Sequence, residues 1–214
     1  MGEVELENSR QLYIHSHIIT YGHAATPELT EQIRDEIETM WNEPQALITI
    51  QSIPLMVRFK ITAEFRQHIS DIDVYRNTDP RNNYFRIEEF ALGNISFVDG
   101  INCNTGFFKL ENLYKGSTTA AHEYGHTIGL DHPDDLDIRG KGTPGIMYPR
   151  GTLVDPQFQY DPSKPAGVTG GTMHPMYRKV LQEDITHLKL HKLRFHNNRA
   201  ILGEFTNVYH LPHM

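Results

Sequence analysis

Residues 122–132 read His122-Glu123-Tyr124-Gly125-His126-Thr127-Ile128-Gly129-Leu130-Asp131-His132. This is the pattern H-E-x-x-H-x-x-G-x-x-H. On an α-helix, His122 and His126 are four residues apart, so their imidazoles lie on one face and can bind one metal ion. Two histidines at this spacing and a third nitrogen suit Zn²⁺, with a fourth coordination position open to water. The stretch therefore predicts a zinc site in which His132 is the third ligand.

The other two fixed residues of the pattern have separate tasks. Glu123 follows the first ligand, where its carboxylate can take a proton from a water in the open position. Gly129 lets the chain leave the helix, because glycine adopts left-handed backbone angles at little cost. That turn would bring His132 back to the metal. We therefore predict that Glu123 is the catalytic base.

The eleven-residue pattern resembles the signature of the metzincin clan of zinc endopeptidases. Members of the clan carry a methionine in a tight turn beneath the zinc, and this chain has Gly145-Ile146-Met147-Tyr148-Pro149 shortly after its third histidine. The resemblance implies that Met147 forms an apolar floor under the ligands. Met-Tyr-Pro is similar to the matrixin branch, in which the tyrosine and proline form a wall of the pocket for the side chain after the scissile bond. Tyr148 and Pro149 are thus predicted to bind substrate. Pro133 is more similar to the serralysin branch, and the branch stays open.

The resemblance also implies an α+β fold in one catalytic domain over residues 1–214. Its upper subdomain, residues 1–129, would hold a twisted mixed sheet and two long helices. An irregular lower subdomain, residues 130–194, would hold the methionine turn and a C-terminal helix, with the cleft between the two. The tail, residues 195–214, is interpreted as a short strand or as a docking or inhibitory segment.

Local patterns predict the individual elements. Thr26-Pro27-Glu28 is typical of a helix start, with a capping threonine, a proline in the first turn and an acid after it. The zinc helix is expected to run from a cap at Ser117 or Thr118 to about Leu130, and a final helix to cover residues 174–193. Runs of β-branched and aromatic residues predict strands over residues 11–21, 46–53, 55–61, 69–76, 84–90, 92–98 and 106–110.

The predicted strand over residues 92–98 has a functional interpretation. In the metzincin clan the strand at this place is the sheet edge above the cleft, and a substrate binds there by adding its own backbone as a further strand. The resemblance therefore implies that Gly93, Asn94 and Ile95 contact substrate. Calcium is a second candidate ion, with a solvated acidic turn as the favoured alternative, at Asp134, Asp135 and Asp137.

Composition describes an ordinary soluble domain. The 214 residues are 38% hydrophobic and 22% charged, and the net charge is −7. Nucleic-acid binding is disfavoured, because it requires a basic surface. No apolar run has transmembrane length. We expect a monomer that is secreted with its signal peptide absent from this sequence, and a cytoplasmic location is the alternative. Cys103 is the single cysteine and is interpreted as structural or incidental.

These observations predict a zinc-dependent endopeptidase that acts on protein or peptide substrates. The alternatives are a non-catalytic zinc-binding interaction domain and an effector or toxin protease selective for one target. The intact Glu123 argues against the non-catalytic interpretation. A third hypothesis, hydrolysis of a non-peptide amide or ester, would be marked by a closed or blocked edge strand.

Overall fold

A computed structural model describes residues 1–7 and 10–213. The strands are β1 (Gly2–Glu7), β2 (Gln11–Tyr21), β3 (Leu47–Ile50), β4 (Ile53–Phe65), β5 (Asn82–Glu88), β6 (Phe97–Val98), β7 (Thr105–Lys109) and β8 (Arg199–Leu202). The α-helices are α1 (Pro27–Asn42), α2 (Asp71–Tyr75), α3 (Thr119–Thr127) and α4 (Gln182–His187). Short 3₁₀ helices cover Leu92–Asn94, Leu110–Leu113, Pro156–Phe158, Pro175–Tyr177 and Leu190–Lys192.

All eight strands belong to one mixed sheet. Its main path is β3-β4-β2-β5-β7-β6, with β1 beside the first half of β2 and β8 beside β1. The β2–β4, β2–β5 and β5–β7 pairs are parallel, whereas β3, β6, β1 and β8 add antiparallel pairs at the edges. This architecture confirms the predicted α+β class with a mixed sheet. None of the helices described by the structure has the length and apolar character needed to cross a membrane.

Helix α1 lies on one face of the sheet and fixes the core next to the site. Its start is as predicted, because the side chain of Thr26 accepts a hydrogen bond from the backbone N–H of Leu29. Ile33, Ile37 and Trp41 recur at helical spacing and are buried against strand β4 and helix α3. This apolar stripe carries most of the packing energy of the helix, since isolated helices of this length are marginal in water.

Besides the strand predicted over residues 92–98, which is mostly a turn, two element predictions are wrong. Residues 69–76 were expected to form a strand, but α2 forms there because Ser70 and Asp73 make a reciprocal capping box at its start. The expected helix over residues 174–193 is reduced to the six residues of α4, with a separate 3₁₀ turn on each side. Lys189 interrupts the helical backbone with a φ of 52°.

The segment between Leu130 and α4 is irregular, as expected for the lower subdomain. It is held by isolated bridges such as Asp137–Leu153 and Gly145–Lys179. Its own small apolar cluster consists of Ile138, Val154 and Met173, with Tyr148 and Phe158 against them.

The structure does not support the calcium hypothesis for the acidic turn. The carboxylate of Asp135 pairs with Lys141 at 2.5 Å, and that of Asp137 pairs with Arg139 at 2.5 Å. Both acids already have cationic partners on the surface, so they do not form a free set of oxygen ligands.

The C-terminal tail covers the side of the sheet away from α1. Phe107 and Phe108 are neighbours in β7 and point to opposite faces, with Phe108 in the main core. The ring of His213 stacks on Phe107 with centroids 3.9 Å apart, and that of Tyr209 stacks on Tyr21 at 5.6 Å. The tail is therefore docked on the outer face of the sheet.

Candidate metal centre and cleft

Helix α3 places two of the three histidines, and its neighbours hold it firmly. All nine of its residues are buried. The indole N–H of Trp41 donates to the carbonyl of Ala121 at 3.1 Å, and the carboxylate of Glu36 accepts from the backbone N–H of the same residue at 3.2 Å. The hydroxyls of Ser16 and Tyr124 lie 2.8 Å apart and tie the helix to β2. The helix ends at Thr127, about one turn earlier than expected.

The third histidine returns to the same point after a turn at Gly129. That glycine has a φ of 105°, in the left-handed region as the sequence predicts. The Nε2 atom of His132 lies 3.1 Å from that of His122 and 3.2 Å from that of His126. Nitrogen ligands about 2.0–2.1 Å from a tetrahedral zinc ion would be about 3.3 Å apart. These two spacings fit one zinc ion, and the ligand atoms of all three histidines lie within 4.8 Å of one another.

The hydrogen bonds of the other ring nitrogens fix the tautomers. Nδ1 of His122 donates to the carbonyl of Ile146 at 2.7 Å, and Nδ1 of His126 donates to the carbonyl of Leu130 at 2.7 Å. Because a carbonyl can only accept, the hydrogens are on Nδ1 and the lone pairs of Nε2 face the centre. Burial lowers the pKa of all three histidines, which favours the neutral form that binds metal.

Glu123 lies beside the histidines and is buried. Burial raises the pKa of its carboxyl to about 8, and the positive charges of Arg178 and Arg150 act in the opposite direction. A cation between the three histidines would act in the same direction as the arginines and favour the carboxylate. The position of Glu123 suits a group that accepts a proton within the cleft.

Met147 packs directly beneath helix α3. Its sulfur lies 2.3 Å from the point where a Cβ on Gly125 would be, so the helix and the turn can approach this closely only at a glycine. Pro149 borders a cavity beside the histidines. Tyr148 instead packs against the small cluster of the lower subdomain and does not line that cavity. The substrate-binding roles of Tyr148 and Pro149 stay predictions.

The segment predicted as an edge strand is mostly a turn. Leu92–Asn94 forms a 3₁₀ turn in which Gly93 has a φ of 74° and Asn94 a φ of 60°, angles that a strand does not allow. The strand itself is shortened to Phe97–Val98. Ile95 and Asn94 border the cleft, whereas Gly93 does not line it. A role for these residues in binding substrate backbone stays a prediction.

Two cavities meet at the metal centre. One of about 210 Å³ and one of about 280 Å³ share the side chains of His122, Glu123 and His132, together with Ile95 and Ser96. The histidine cluster therefore lies between two open spaces. A larger cavity of about 680 Å³ lies elsewhere, around Tyr21 and Arg86, and does not touch the histidines.

Sequence reasoning missed several residues of the first cavity, among them Asn112, Thr119, Arg150 and Arg178. Arg150 directly follows the Met-Tyr-Pro stretch, and this adjacency could have indicated it. Arg178 is more than fifty residues away from α3 in a segment without periodicity, so no sequence signal placed it in the cleft.

Comparison with known proteins gives distant structural likeness only. No family model matches the chain, and no curated protein sequence matches it. Archaemetzincin from Methanopyrus kandleri is similar with a TM-score of 0.43 and 12% identity, over 82% of this chain and 94% of that one. A structure of myroilysin is similar with a TM-score of 0.31 and 16% identity, over 67% of this chain and 60% of that one. At these scores the likenesses transfer no activity, and function has to be inferred from the site.

Proposed function

We propose that the protein is a zinc-dependent peptidase that cleaves within protein or peptide chains. The observation that carries this proposal is the convergence of three Nε2 atoms, with nearest spacings of 3.1 and 3.2 Å, beside the buried carboxylate of Glu123. Three protein ligands and a free fourth position are typical of catalytic zinc, whereas structural zinc is closed by four protein ligands.

The two cavities favour an extended substrate. Because they share His122, Glu123 and His132, a chain that passes the metal centre has room on both sides of the bond to be cleaved. This supports cleavage within a chain over a non-catalytic zinc domain, which has no need for accessible space on both sides of its metal.

The chain supplies the ligands and the proton carrier. Zinc in this site would provide Lewis acidity, which activates a water and polarises the scissile carbonyl. The Nδ1 bonds of His122 and His126 to backbone carbonyls hold the two imidazoles in the orientation that binding requires. Glu123 accepts a proton from the attacking water at a carboxylate oxygen and donates it to the leaving amine. Burial of Glu123 keeps bulk water away from this transfer.

The test is the Glu123→Gln variant of the zinc-loaded protein. We expect it to retain zinc and to lose at least about a hundredfold in turnover of an unfolded protein substrate, since general acid–base catalysis contributes about 10²–10⁴-fold. Zinc content is measured by elemental analysis, and cleavage by mass-spectrometric mapping of the products.

Glu89→Gln is the matched control, because it makes the same chemical change at an exposed position outside both cavities. It should cleave like the wild type. A Glu123→Gln protein with wild-type turnover, or a chelated wild type that still cleaves, would refute the proposal.

A further inference from the structure

Two arginines border the smaller of the two cavities at the metal centre. Arg178 is only 4% exposed, whereas Arg150 is on the surface at the rim. The charged side chains that line this cavity besides the histidines are Arg150, Arg178 and Glu123. The wall thus carries two cationic side chains against one carboxyl group, before any metal is counted.

Neither arginine forms an ion pair in the part of the chain that the structure describes. Arg86 shows the contrast: it is equally buried, and its guanidinium pairs with Glu88 at 2.5 Å. Arg178 instead donates to the Thr118 hydroxyl at 3.0 Å and to the Tyr148 carbonyl at 3.2 Å, both neutral acceptors. Glu123 and Glu36 act on it only at longer range. A buried charge without a close counter-charge is costly, and an anionic ligand would compensate it.

A buried hydroxyl in the same wall also lacks a partner. Thr119 is 5% exposed, and its Oγ1 atom has no hydrogen-bond partner among the described residues. Buried hydroxyls are nearly always hydrogen-bonded, so this orphan donor indicates an acceptor that the chain itself does not provide. It lines the same cavity as the two arginines.

We propose that this cavity binds a carboxylate of the substrate residue next to the scissile bond, so that the enzyme selects acidic residues there. Arg178 and Arg150 would pair with the carboxylate, and the Thr119 hydroxyl would donate to it. A volume of about 210 Å³ holds one aspartate or glutamate side chain. The inference rests on the proposed peptidase function, because it assigns the specificity of that site.

The carboxylate has two sources in a peptide. It belongs either to an acidic side chain or to the free C-terminus of a substrate cut close to its end. Peptides of one common sequence distinguish these two sources of the carboxylate. Amidated peptides vary the residue on each side of the bond among Asp, Asn, Glu and Gln. In a further pair of peptides the residues on both sides of the scissile bond are neutral. The chain ends one residue after that bond, in a free carboxylate in one peptide and in an amide in the other.

A purely structural role for Arg178 is the competing explanation. Its bonds to Thr118 and Tyr148 link the start of the zinc helix to the methionine turn. Loss of those bonds would lower turnover of every peptide equally. A binding role changes the ratio of kcat/KM between an acidic peptide and its amide counterpart. That ratio is therefore the readout.

For the wild type we expect kcat/KM at least about tenfold higher for the carboxylate peptide than for its amide partner, as for hydrogen bonds to a charged group. In Arg178→Gln and Arg150→Gln the ratio should fall toward one, mainly through KM. Thr119→Val should reduce it by about three- to tenfold. Lys115→Gln removes an exposed positive charge outside the cavity and is the matched control, which should keep the ratio.

Equal cleavage of acidic and amide peptides by the wild type overturns the inference and leaves the peptidase proposal standing. So does a ratio unchanged in Arg178→Gln and Arg150→Gln. If Arg178→Gln does not fold, the kcat/KM ratios of Arg178→Lys and Arg150→Gln are used for the test instead. Binding is also measured by fluorescence anisotropy with zinc-loaded Glu123→Gln. If the zinc-loaded wild type cleaves none of the peptides while Glu123→Gln still prefers the carboxylate peptide tenfold, the pocket is supported and the peptidase proposal is rejected. No preference in Glu123→Gln overturns the pocket.

Discussion

Burial keeps the imidazoles of His122 and His126 neutral, and each gives its Nδ1 hydrogen to a backbone carbonyl, which fixes its orientation. The carbonyls belong to Ile146 and Leu130, so the two ligands are held by the turn that follows and by the chain just after the helix. Backbone carbonyls thus orient the imidazoles of His122 and His126. Their orientation does not depend on the identity of neighbouring side chains.

This burial predicts how the stability of the chelated protein depends on pH. The folded protein holds the pKa of His122 well below 6.5 and lowers that of His126, chiefly through burial. Below pH 6.5 these two histidines therefore bind more protons in the unfolded chain than in the folded one. The stability that they contribute is present above pH 6.5 and is lost as the pH falls, by up to about 1.4 kcal/mol per pH unit for each of the two.

Urea unfolding from pH 4.5 to 7.5 in the presence of a chelator measures this slope. His122→Gln should reduce the slope by about one proton. His191→Gln removes an exposed histidine and should leave it unchanged. His132 is exposed, so we expect a smaller effect from it because solvent screens its charge. A His122→Gln protein whose slope equals that of the chelated wild type would contradict the prediction.

The candidate site was predictable from sequence wherever its residues are local to one element. His122, Glu123 and His126 lie within two turns of a helix, and Gly129 and His132 follow at once, so spacing alone brings them together. The arginines are different. Arg178 enters the cleft through a long irregular segment whose path is set by packing, and no periodicity encodes that path.

At the level of elements, helix α3 and the methionine turn depend on one close approach. The sulfur of Met147 and the ring of Trp41 lie 2.3 and 3.2 Å from the position of a Cβ on Gly125. Any side chain there separates the helix from the turn. Because the turn also carries the Ile146 carbonyl that holds His122, such a shift would reach the metal ligands.

Gly125→Ala is therefore expected to destabilise the protein and weaken zinc binding. Overpacking of a tight core costs about 1–3 kcal/mol and exceeds the gain of up to about 1 kcal/mol from alanine in a helix. We expect a net loss of about 1 kcal/mol in unfolding free energy and an increase in the zinc dissociation constant. Urea unfolding and competition with a chromogenic chelator measure the two.

Gly151→Ala is the matched control for this substitution. Nothing lies within 4 Å of its added Cβ, so stability and zinc affinity should be unchanged within about 0.5 kcal/mol. If Gly125→Ala proves as stable as Gly151→Ala and binds zinc equally well, the close approach is not a requirement of the site.

Helices and strands were predictable where a periodic pattern of apolar residues agreed with the residues that begin and end that kind of element. The alternation of β2 and the apolar stripe and cap of α1 satisfy this condition. The prediction failed at residues 69–76, where the local capping bonds of Ser70 and Asp73 outweigh β-branched composition. It also failed after Pro175, where tertiary packing buries Val180 and Ile185 without a continuous helix.

For the whole molecule, the tail and the cleft use opposite faces of the sheet. Residues from Thr206 to His213 contact Tyr21, Asn104 and Phe107, whereas His122 and His126 belong to helix α3 on the core side. The tail was interpreted as a strand or as a docking or inhibitory segment. Strand β8 lies in this tail and the segment after β8 is docked on the sheet, and the role of the tail stays a prediction. No described tail residue lines either cavity at the metal centre.

Asn104 is the residue that fastens the tail. It is fully buried, and its Oδ1 accepts from the backbone N–H groups of Thr206 and Asn207 at 3.0 Å each. Its amide nitrogen donates to the side chain of Asn207 at 2.8 Å. Asn104→Ala removes these bonds together, and we expect a loss of about 2–4 kcal/mol, because each buried group left without its partner costs about 1–3 kcal/mol.

We expect the tail to detach from the sheet in Asn104→Ala while the activity in the cleft is retained. Hydrogen exchange of residues 204–213 should accelerate strongly in Asn104→Ala, and kcat for a standard peptide should stay within about twofold of the wild type at a temperature where both are folded. Gln157→Ala removes an exposed amide elsewhere and should change neither quantity. A large rise in kcat on opening would contradict this prediction and show that the docked tail restrains activity.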